Sequence, residues 1–502
     1  MNLIDVTILV IHFFVLGMLI IFGLHRYHLL RLTLKHRHTS DPIGSPLEEY
    51  PTVTVQLPIY NERYVVRRLI DHVCRLDYPS GRMEIQVLDD SDDDTSSLIQ
   101  TAVAEWQRRG IDIVHIQRDQ RKGFKAGALD YGMKLARGEF IAIFDADFIP
   151  ETTFLKGIMG HFDATEVGMV QARWEHINRS QSLLTRAQAI LLDGHFQIEH
   201  FARNRSGLFF NFNGTAGIWR KTCILDAGGW QYDTITEDLD LSYRAQIKGW
   251  KFIYLRDLSV PAELPGEMNA FKTQQHRWAK GSIQVARKQL KAVIKSEQTW
   301  RVKIEAILHL TNNFAYVLLA VMSLLMPLAI RIRIQHGWHE VLYLDLPVFV
   351  GATLSIFVFY FISQAQTQTG LIRKCLEIPM AMAIGIGLAV NNTRAVLEAC
   401  VGHQSPFART PKLALEDDVI GSRPNANQSY NSQFDLGSII EIGLGLIYLQ
   451  TFVFCLKQQV WPALPFMGLF AFGFLYTAWK SIQQSFKNRA QARRTIRTQQ
   501  SI

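Results

Sequence analysis

Six apolar runs, one at the start of the chain and five crowded after residue 310, constrain what this sequence can fold into. Val6–Leu24 is apolar throughout except for His12, close to the roughly 20 residues a helix needs to cross a bilayer. The run is too long for a signal-peptide core, no basic segment precedes it, and no small-residue cleavage site follows. Residues 25–313 contain no comparable stretch, after which Phe314–Ile330, Leu346–Ser363, Ile378–Val390, Ile442–Leu456 and Val460–Trp479 follow in quick succession. The pattern is that of a membrane protein with one leading helix, a large polar insert and a C-terminal cluster of helices.

Basic flanks set the expected topology. Arg26, Arg31, Lys35 and Arg37 follow the first run, whereas Met1–Asp5 has no Lys or Arg. Basic flanks stay cytoplasmic, so the N-terminus is expected outside, with the insert and the basic tail after Trp479 inside. That requires an odd number of spans, and the short run Ile378–Val390 is assigned as the one that does not cross, in the length class of re-entrant or interfacial segments. Arg331 and Arg333 outside, and Glu441 at the head of a span, fit this scheme least well. The net charge of +8 flanks the membrane instead of forming a face with aromatic side chains, which argues against nucleic acid. Five scattered Cys without a CxxC pair exclude a disulfide framework or a zinc cluster.

From Pro51 the insert alternates strand, turn and helix. Strands are expected at Thr52–Leu57, Glu84–Asp89, Ile111–Ile116 and Phe140–Asp145, and helices at Asn61–Arg75, Thr95–Arg108 and Lys125–Ala136. Such alternation builds a largely parallel sheet with helices on both faces, whose ligand lies at the C-terminal strand ends. Acidic clusters sit there. One strand empties into Asp89-Asp90-Ser91-Asp92-Asp93-Asp94 and another into Asp145-Ala146-Asp147. In an extended DxD both carboxylates leave one side of the chain, and such oxygen ligands suit Mg²⁺ or Mn²⁺ completed by water and diphosphate.

Two further motifs admit two readings each. Thr236-Glu237-Asp238 opens a helical pattern; it reads either as a helix cap with acidic residues in the first turn or as a carboxylate projecting into a cleft as general base. Gln274-Gln275-His276-Arg277-Trp278 puts an amide, a guanidinium and an indole on one helical face. Trp stacks on sugar rings and Arg clamps diphosphate, although the same face would also suit a helix lying at lipid headgroups.

Taken together, the set resembles the processive, inverting β-glycosyltransferases of family two, the cellulose synthase and hyaluronan synthase superfamily, and within it the cellulose synthase-like A and C branch. The matching stretches begin with Gln56–Glu62, Gln86–Ser91, Gly123–Leu129 and Phe144–Phe148. They continue with Val170–Trp174, Phe212–Trp219, Thr236–Asp238 and Gln274–Trp278. The resemblance implies an α/β GT-A fold, a Rossmann-like mixed sheet, inserted between α-helical transmembrane segments. It implies that Tyr60, Glu62 and Asp89 or Asp90 hold the base and ribose, that Lys125 approaches the nucleotide, and that Asp145 and Asp147 meet the diphosphate through Mg²⁺ or Mn²⁺. Asp238 would deprotonate the acceptor hydroxyl. Asn213, Gly214, Thr215, Glu237, Gln274 and Trp278 would border the acceptor, and Arg277 the diphosphate.

A second stretch, Phe407-Ala-Arg-Thr-Pro-Lys412, resembles the family's gating loop, with Phe407, Thr410 and Lys412 as its matching residues and Arg409 a departure where Val is usual. The expected organisation is therefore a span and basic flank at 1–40, a cytoplasmic GT-A domain at 50–265 and interfacial helices at 266–304. Two spans would follow at 305–365, an interfacial or re-entrant helix and gating loop at 366–435, two spans at 436–482 and a basic cytoplasmic tail at 483–502. The expected product is a β-linked hexose polymer, β-1,4-glucan or mannan-like, from UDP-glucose in the first place or GDP-mannose. The growing polysaccharide would pass the membrane helices, with Trp278, Phe314 and Tyr316 as aromatic candidates for its path. Single-sugar addition to a lipid is the competing enzyme class. Homo-oligomerisation is compatible with everything above.

Overall fold

The computed structural model describes residues 2–338, 349–365, 370–403, 412 and 436–500, the last thirteen of these by backbone alone. Its centre is one seven-stranded sheet in the order β3-β2-β1-β4-β6-β5-β7. The strands are β1 (Val53–Ile59), β2 (Met83–Asp89), β3 (Ile113–Gln117), β4 (Phe140–Ile143), β5 (Val167–His176), β6 (Gly217–Arg220) and β7 (Lys251–Ala262). The first four run parallel, β6 is antiparallel to both β4 and β5, and β5 and β7 are parallel. The sheet is thus mixed, with a parallel half at the N-terminal side.

Near-continuous apolar strands are buried on both faces, as helix-covered parallel sheets require. Phe140 and Ala142 enter one core with Val53, Val55 and Leu57, while Ile141 and Ile143 enter the opposite core with Met169 and Trp219. The covering helices are α2 (Val66–Val73), α3 (Thr95–Gln107) and α4 (Phe124–Leu135), whereas α1 (Leu3–Lys35) packs against later helices. Helix α2 begins five residues later than the expected Asn61, because Asn61 turns into the left-handed region at φ 55° and hydrogen-bonds Asp92 with its side chain (2.7 Å).

Downstream lie α5 (Leu183–Asp193), α6 (Glu237–Ile247), the long α7 (Met268–Lys295), α8 (Trp300–Thr311) and α9 (Phe314–Gln335). The chain then forms α10 (Leu371–Gly387), α11 (Ala389–Val401), α12 (Leu436–Lys457) and α13 (Leu464–Gln500). Among the described residues four helices are long and apolar enough to cross a membrane: Leu3–Lys35, Phe314–Gln335, Leu436–Lys457 and Trp461–Lys487. A shorter apolar helix, Gly351–Ser363, falls within the run Leu346–Ser363, whose first residues lie outside the described ones. The run Ile378–Val390 does not form one rod: it is divided between α10, which carries Pro379, and α11.

Glu441, the awkward carboxylate of α12, is answered from α7. Lys272 donates to its Oε2 at 2.8 Å, and both side chains are nearly sealed from solvent. Breaking a buried pair from one side leaves an uncompensated charge, at a cost of about 3–5 kcal/mol, whereas replacing both partners by apolar groups is close to neutral. Glu441→Leu is therefore expected to lower the unfolding temperature in detergent sharply, and Lys272→Met combined with Glu441→Leu to restore most of it, as read by a thermal-shift double-mutant cycle.

Candidate active site

The C-terminal ends of β1, β2 and β4, the strip 211–216 and the start of α6 converge on a single cleft. Lys125, in the first turn of α4, is its hub. Its ammonium donates to Asp145 Oδ1 at 2.5 Å and to the carbonyl of Gly214 at 2.9 Å. Burial works against the charge, but Asp145, Glu237 and Asp238 outweigh it and raise the lysine's pKa. The backbone N–H of Asp145 donates to Thr215 Oγ1 (2.9 Å), which fixes the strip against the end of β4.

Gly214 adopts φ +79°, and a β-carbon there would stand 3.1 Å from Asp238 Oδ2 and 3.3 Å from Lys125 Nζ. Glycine is thus demanded twice, by conformation and by the closeness of the carboxylate and the amine. Asp238 Oδ1 accepts the backbone N–H of Leu239 (2.8 Å), while Oδ2 accepts no hydrogen bond among the described residues. Burial first, and the neighbouring Glu237 carboxylate second, push the Asp238 pKa up to about 7. Glu237 is raised as well, chiefly by burial, with Lys125 and Arg277 pulling the other way. The cap reading of Thr236 is not realised: its hydroxyl makes no capping bond and is buried without a hydrogen-bond partner among the described residues.

Helix α7 is pressed onto this helix start. A β-carbon at Gly281 would overlap Thr236, Gln284 Oε1 accepts the N–H of Ile235 (2.9 Å), and Lys288 and Gln289 both donate to Asp240 of α6 (3.0 and 2.7 Å). Gln274, Trp278 and Gly281 recur at helical spacing, so the stripe that carries them, with Arg277 beside it, faces α6. The three motif residues are half-buried.

The donor-side residues separate into two groups. Asp89 is 2% exposed and fully engaged: His115 and Gln117 from β3 and Ser96 from α3 all reach its Oδ2 (2.8, 3.2 and 2.6 Å). Burial alone would raise its pKa, yet the bonds from His115, Ser96 and Ser91 hold it down to about 2. Asp90 stands at the cleft, paired with Arg118. The Tyr60 ring lies under the Arg121 guanidinium, 3.2 Å from ring centre to carbon, and its hydroxyl donates to Asp92 (3.2 Å). Glu62 is buried.

Asp147 accepts Lys412 Nζ at 2.7 Å and the N–H of Glu263 at 3.2 Å. A lysine 265 positions away in sequence is thereby delivered to the DxD, and its charge also reaches Glu62 and Glu263. Phe407 and Thr410 lie outside the described residues. Among the described residues no group of three or more His, Cys, Asp or Glu could enclose a metal ion by itself. The two hard-oxygen donors Asp145 and Asp147 at the end of one strand do fit a divalent cation that takes its other ligands from water and diphosphate.

Sequence reasoning missed a polar chain behind the acceptor strip. Asn213 donates to His195 Nε2 (2.9 Å) and accepts from His200 Nε2 (2.7 Å), and His195 Nδ1 donates to Glu199 (3.0 Å). The one signal present was the i, i+4 spacing of His195 and Glu199.

Comparison with known proteins agrees with the geometry. Residues 51–281 match the family described as glycosyltransferase-like family 2. Glucomannan 4-beta-mannosyltransferase 1 of Oryza sativa subsp. japonica is 40% identical over 296 residues, covering 57% of this chain and 56% of the relative. Glucomannan 4-beta-mannosyltransferase 2 of Arabidopsis thaliana is 43% identical over 266 residues, 52% of this chain and 49% of the relative. The chain thus spans about half the length of the curated relatives it matches. The mannosyltransferase PcManGT from Pyrobaculum calidifontis, solved in complex with GDP-Man and Mn²⁺, shares the fold at a TM-score of 0.50 and 18% identity, over 80% of this chain and 99% of its own. The mixed-sheet insert of this chain, residues 51–281, is a family-two glycosyltransferase domain of GT-A type.

Proposed function

We propose that the chain is a processive, inverting hexosyltransferase that extends a β-linked polysaccharide from a nucleotide sugar and passes the product between its own membrane helices. The observation that carries this reading is Asp238 Oδ2, an unengaged carboxylate oxygen beside Gly214 and the Lys125–Asp145 pair. Asp238 takes the proton of the acceptor hydroxyl as that oxygen attacks the anomeric carbon, opposite the departing nucleotide. Its raised pKa makes it a stronger base than an ordinary carboxylate while it remains ionisable near neutrality. Asn213, Gly214, Thr215, Glu237, Gln274 and Trp278 seat the terminal sugar. Tyr60, Glu62 and Asp90 hold the base and ribose, and Asp89 holds β3 and α3 behind them. Arg277, Lys125 and Lys412 offer positive charge to the diphosphate. Asp145 and Asp147 would hold Mg²⁺ or Mn²⁺, which would supply positive charge to the leaving diphosphate.

The membrane path is supported by a cavity of about 670 Å³ between the helices, lined mainly by apolar side chains that include Tyr316, Phe359, Tyr360, Phe466 and Phe470. Tyr316 is among its lining residues, whereas the other two aromatic candidates for the path, Phe314 and Trp278, are not. The topology that goes with this reading has the domain and C-terminus in the cytoplasm and the N-terminus outside. The names of the relatives favour mannose over glucose as the transferred sugar, and a 1,4 linkage.

Two measurements test this function. Full-length protein in nanodiscs with Mn²⁺ and labelled GDP-mannose or UDP-glucose should yield a ladder that β-1,4-mannanase or β-1,4-glucanase degrades; a single-sugar glycolipid as the sole product would favour the competing enzyme class. Asp238→Asn should lower transfer by about 10²–10⁴-fold with donor affinity nearly unchanged. Because the base acts ionised and its pKa is raised, wild-type kcat/KM should climb as pH rises through about 7, with that limb absent from the residual activity of the variant.

A further inference from the structure

The side-chain amide of Asn213 can be oriented atom by atom from the groups around it. The carbonyl of Asn211 can only accept, and it lies 2.9 Å from His200 Nε2, so that nitrogen carries the ring proton. The Asn213 atom that meets the same N–H at 2.7 Å is therefore its oxygen, Oδ1. Its Nδ2 then faces His195 Nε2 at 2.9 Å, which must be the bare nitrogen of that ring. The proton of His195 is left on Nδ1, where Glu199 Oε2 accepts it at 3.0 Å. A backbone carbonyl at one end of the chain and a carboxylate at the other thus demand the same pair of tautomers.

The frame around these groups is stiff. His195, Glu199 and His200 share the π-helical turn Gly194–His200 that continues α5, a kind of turn frequent at functional positions. The two imidazoles touch, with ring centres 4.2 Å apart. Burial, with His195 and Arg203 beside it, lowers the His200 pKa far below the usual imidazole range and keeps that ring neutral. Burial would raise the Glu199 pKa, but Arg203 and His195 hold the carboxyl well below its usual range. Arg203 is fixed in turn, giving Nη1 to Glu199 (3.4 Å) and Nε to Glu305 (2.9 Å). On the strip side the backbone N–H of Asn213 donates to Gln171 Oε1 (3.0 Å), so main chain and side chain are both pinned.

A carboxamide has two N–H donors and one oxygen. His195 takes one N–H of Asn213 and His200 serves the oxygen, so the second N–H is unengaged among the described residues. Asn213 is half-buried and precedes Gly214, which lies against Asp238. Next to the proposed base the strip therefore has a donor to offer and no acceptor. We infer that His195 is a positioning residue for sugar transfer: held in one tautomer by Glu199, it fixes the Asn213 amide with its remaining N–H available to an oxygen of the acceptor sugar. In this role His195 touches no sugar itself. A donor set in advance needs no ordering when the acceptor arrives. This rests on the acceptor seat given to Asn213 above and adds the residues that set it.

A double-mutant cycle tests this in full-length protein in nanodiscs, with Mn²⁺ and labelled GDP-mannose or UDP-glucose. The acceptor is varied, as β-1,4-mannotetraose and, separately, cellotetraose. His195→Leu should raise the tetrasaccharide KM about tenfold, as expected for one misaimed hydrogen bond, with the donor KM unchanged. His195→Gln, whose amide can accept from Asn213 and donate to Glu199, should recover most of that loss. Glu199→Gln, which removes the charge that dictates the tautomer, is a milder variant and should raise the tetrasaccharide KM several-fold. Asn213→Ala should match His195→Leu, and the two together should be no worse than either, because His195 acts only through Asn213. Wild-type KM values in folded His195→Leu and Glu199→Gln, a rise shared equally by the donor KM, or additive losses in the double variant would overturn the role of His195. A wild type that responds to neither tetrasaccharide, or Asn213→Ala with an unchanged tetrasaccharide KM, would instead remove Asn213 from the acceptor seat.

Discussion

The cleft exists because one half-buried amine serves three carboxylates. Lys125 pairs directly with Asp145 and its charge is felt by Glu237 and Asp238, groups that repel one another and lose hydration on burial. Removing charges from water costs several kcal/mol each unless partners are well placed, so this lysine decides how close the acidic residues can come. Its second bond, to the Gly214 carbonyl, ties the same charge to the backbone strip beside Asp238. The end of β4, the strip and the start of α6 therefore share one ammonium, beside the Asp145–Thr215 and Phe212–Ser242 hydrogen bonds that also join them. Arg277 from α7 shares the load at Glu237, which gives α7 an electrostatic reason to sit where Gly281 and Asp240 already hold it.

What could be read from the sequence was what depends on neighbours along the chain. The four parallel strands, the DxD at the end of β4 and the acidic helix start at Glu237 each rest on periodicity or on a strand emptying into charged residues. What could not be read depends on distant partners. Asp89 and Asp90 are adjacent and chemically alike, and they differ only because β3 brings His115 and Gln117 to one of them. Thr236 had the spacing of a cap, but its hydroxyl faces Gly281 from a helix far along the chain. The Glu199–His195–Asn213 chain offered only the i, i+4 spacing of its first two members. Its third member, Asn213, joins from a strip outside that helix.

The membrane part obeys the same accounting with fewer solutions. Charged groups among apolar helices need partners from protein, and two sets here have them: Glu305 takes both His25 and Arg203, and Lys280 on α7 meets Glu398 on α11. These contacts fasten the glycosyltransferase domain to the first helix and to the later ones.

The Lys272–Glu441 pair also bears on biogenesis. Helix α12 carries its carboxylate into the apolar layer, where an isolated acid is expelled or protonated. Its neutralising lysine is on a segment synthesised long before it and anchored to the folded catalytic domain. The seating of α12 is thereby tied to the segment that carries Lys272. A substitution that unseats Lys272 on α7 would therefore be felt in a helix nearly 170 residues further along, through this one buried contact.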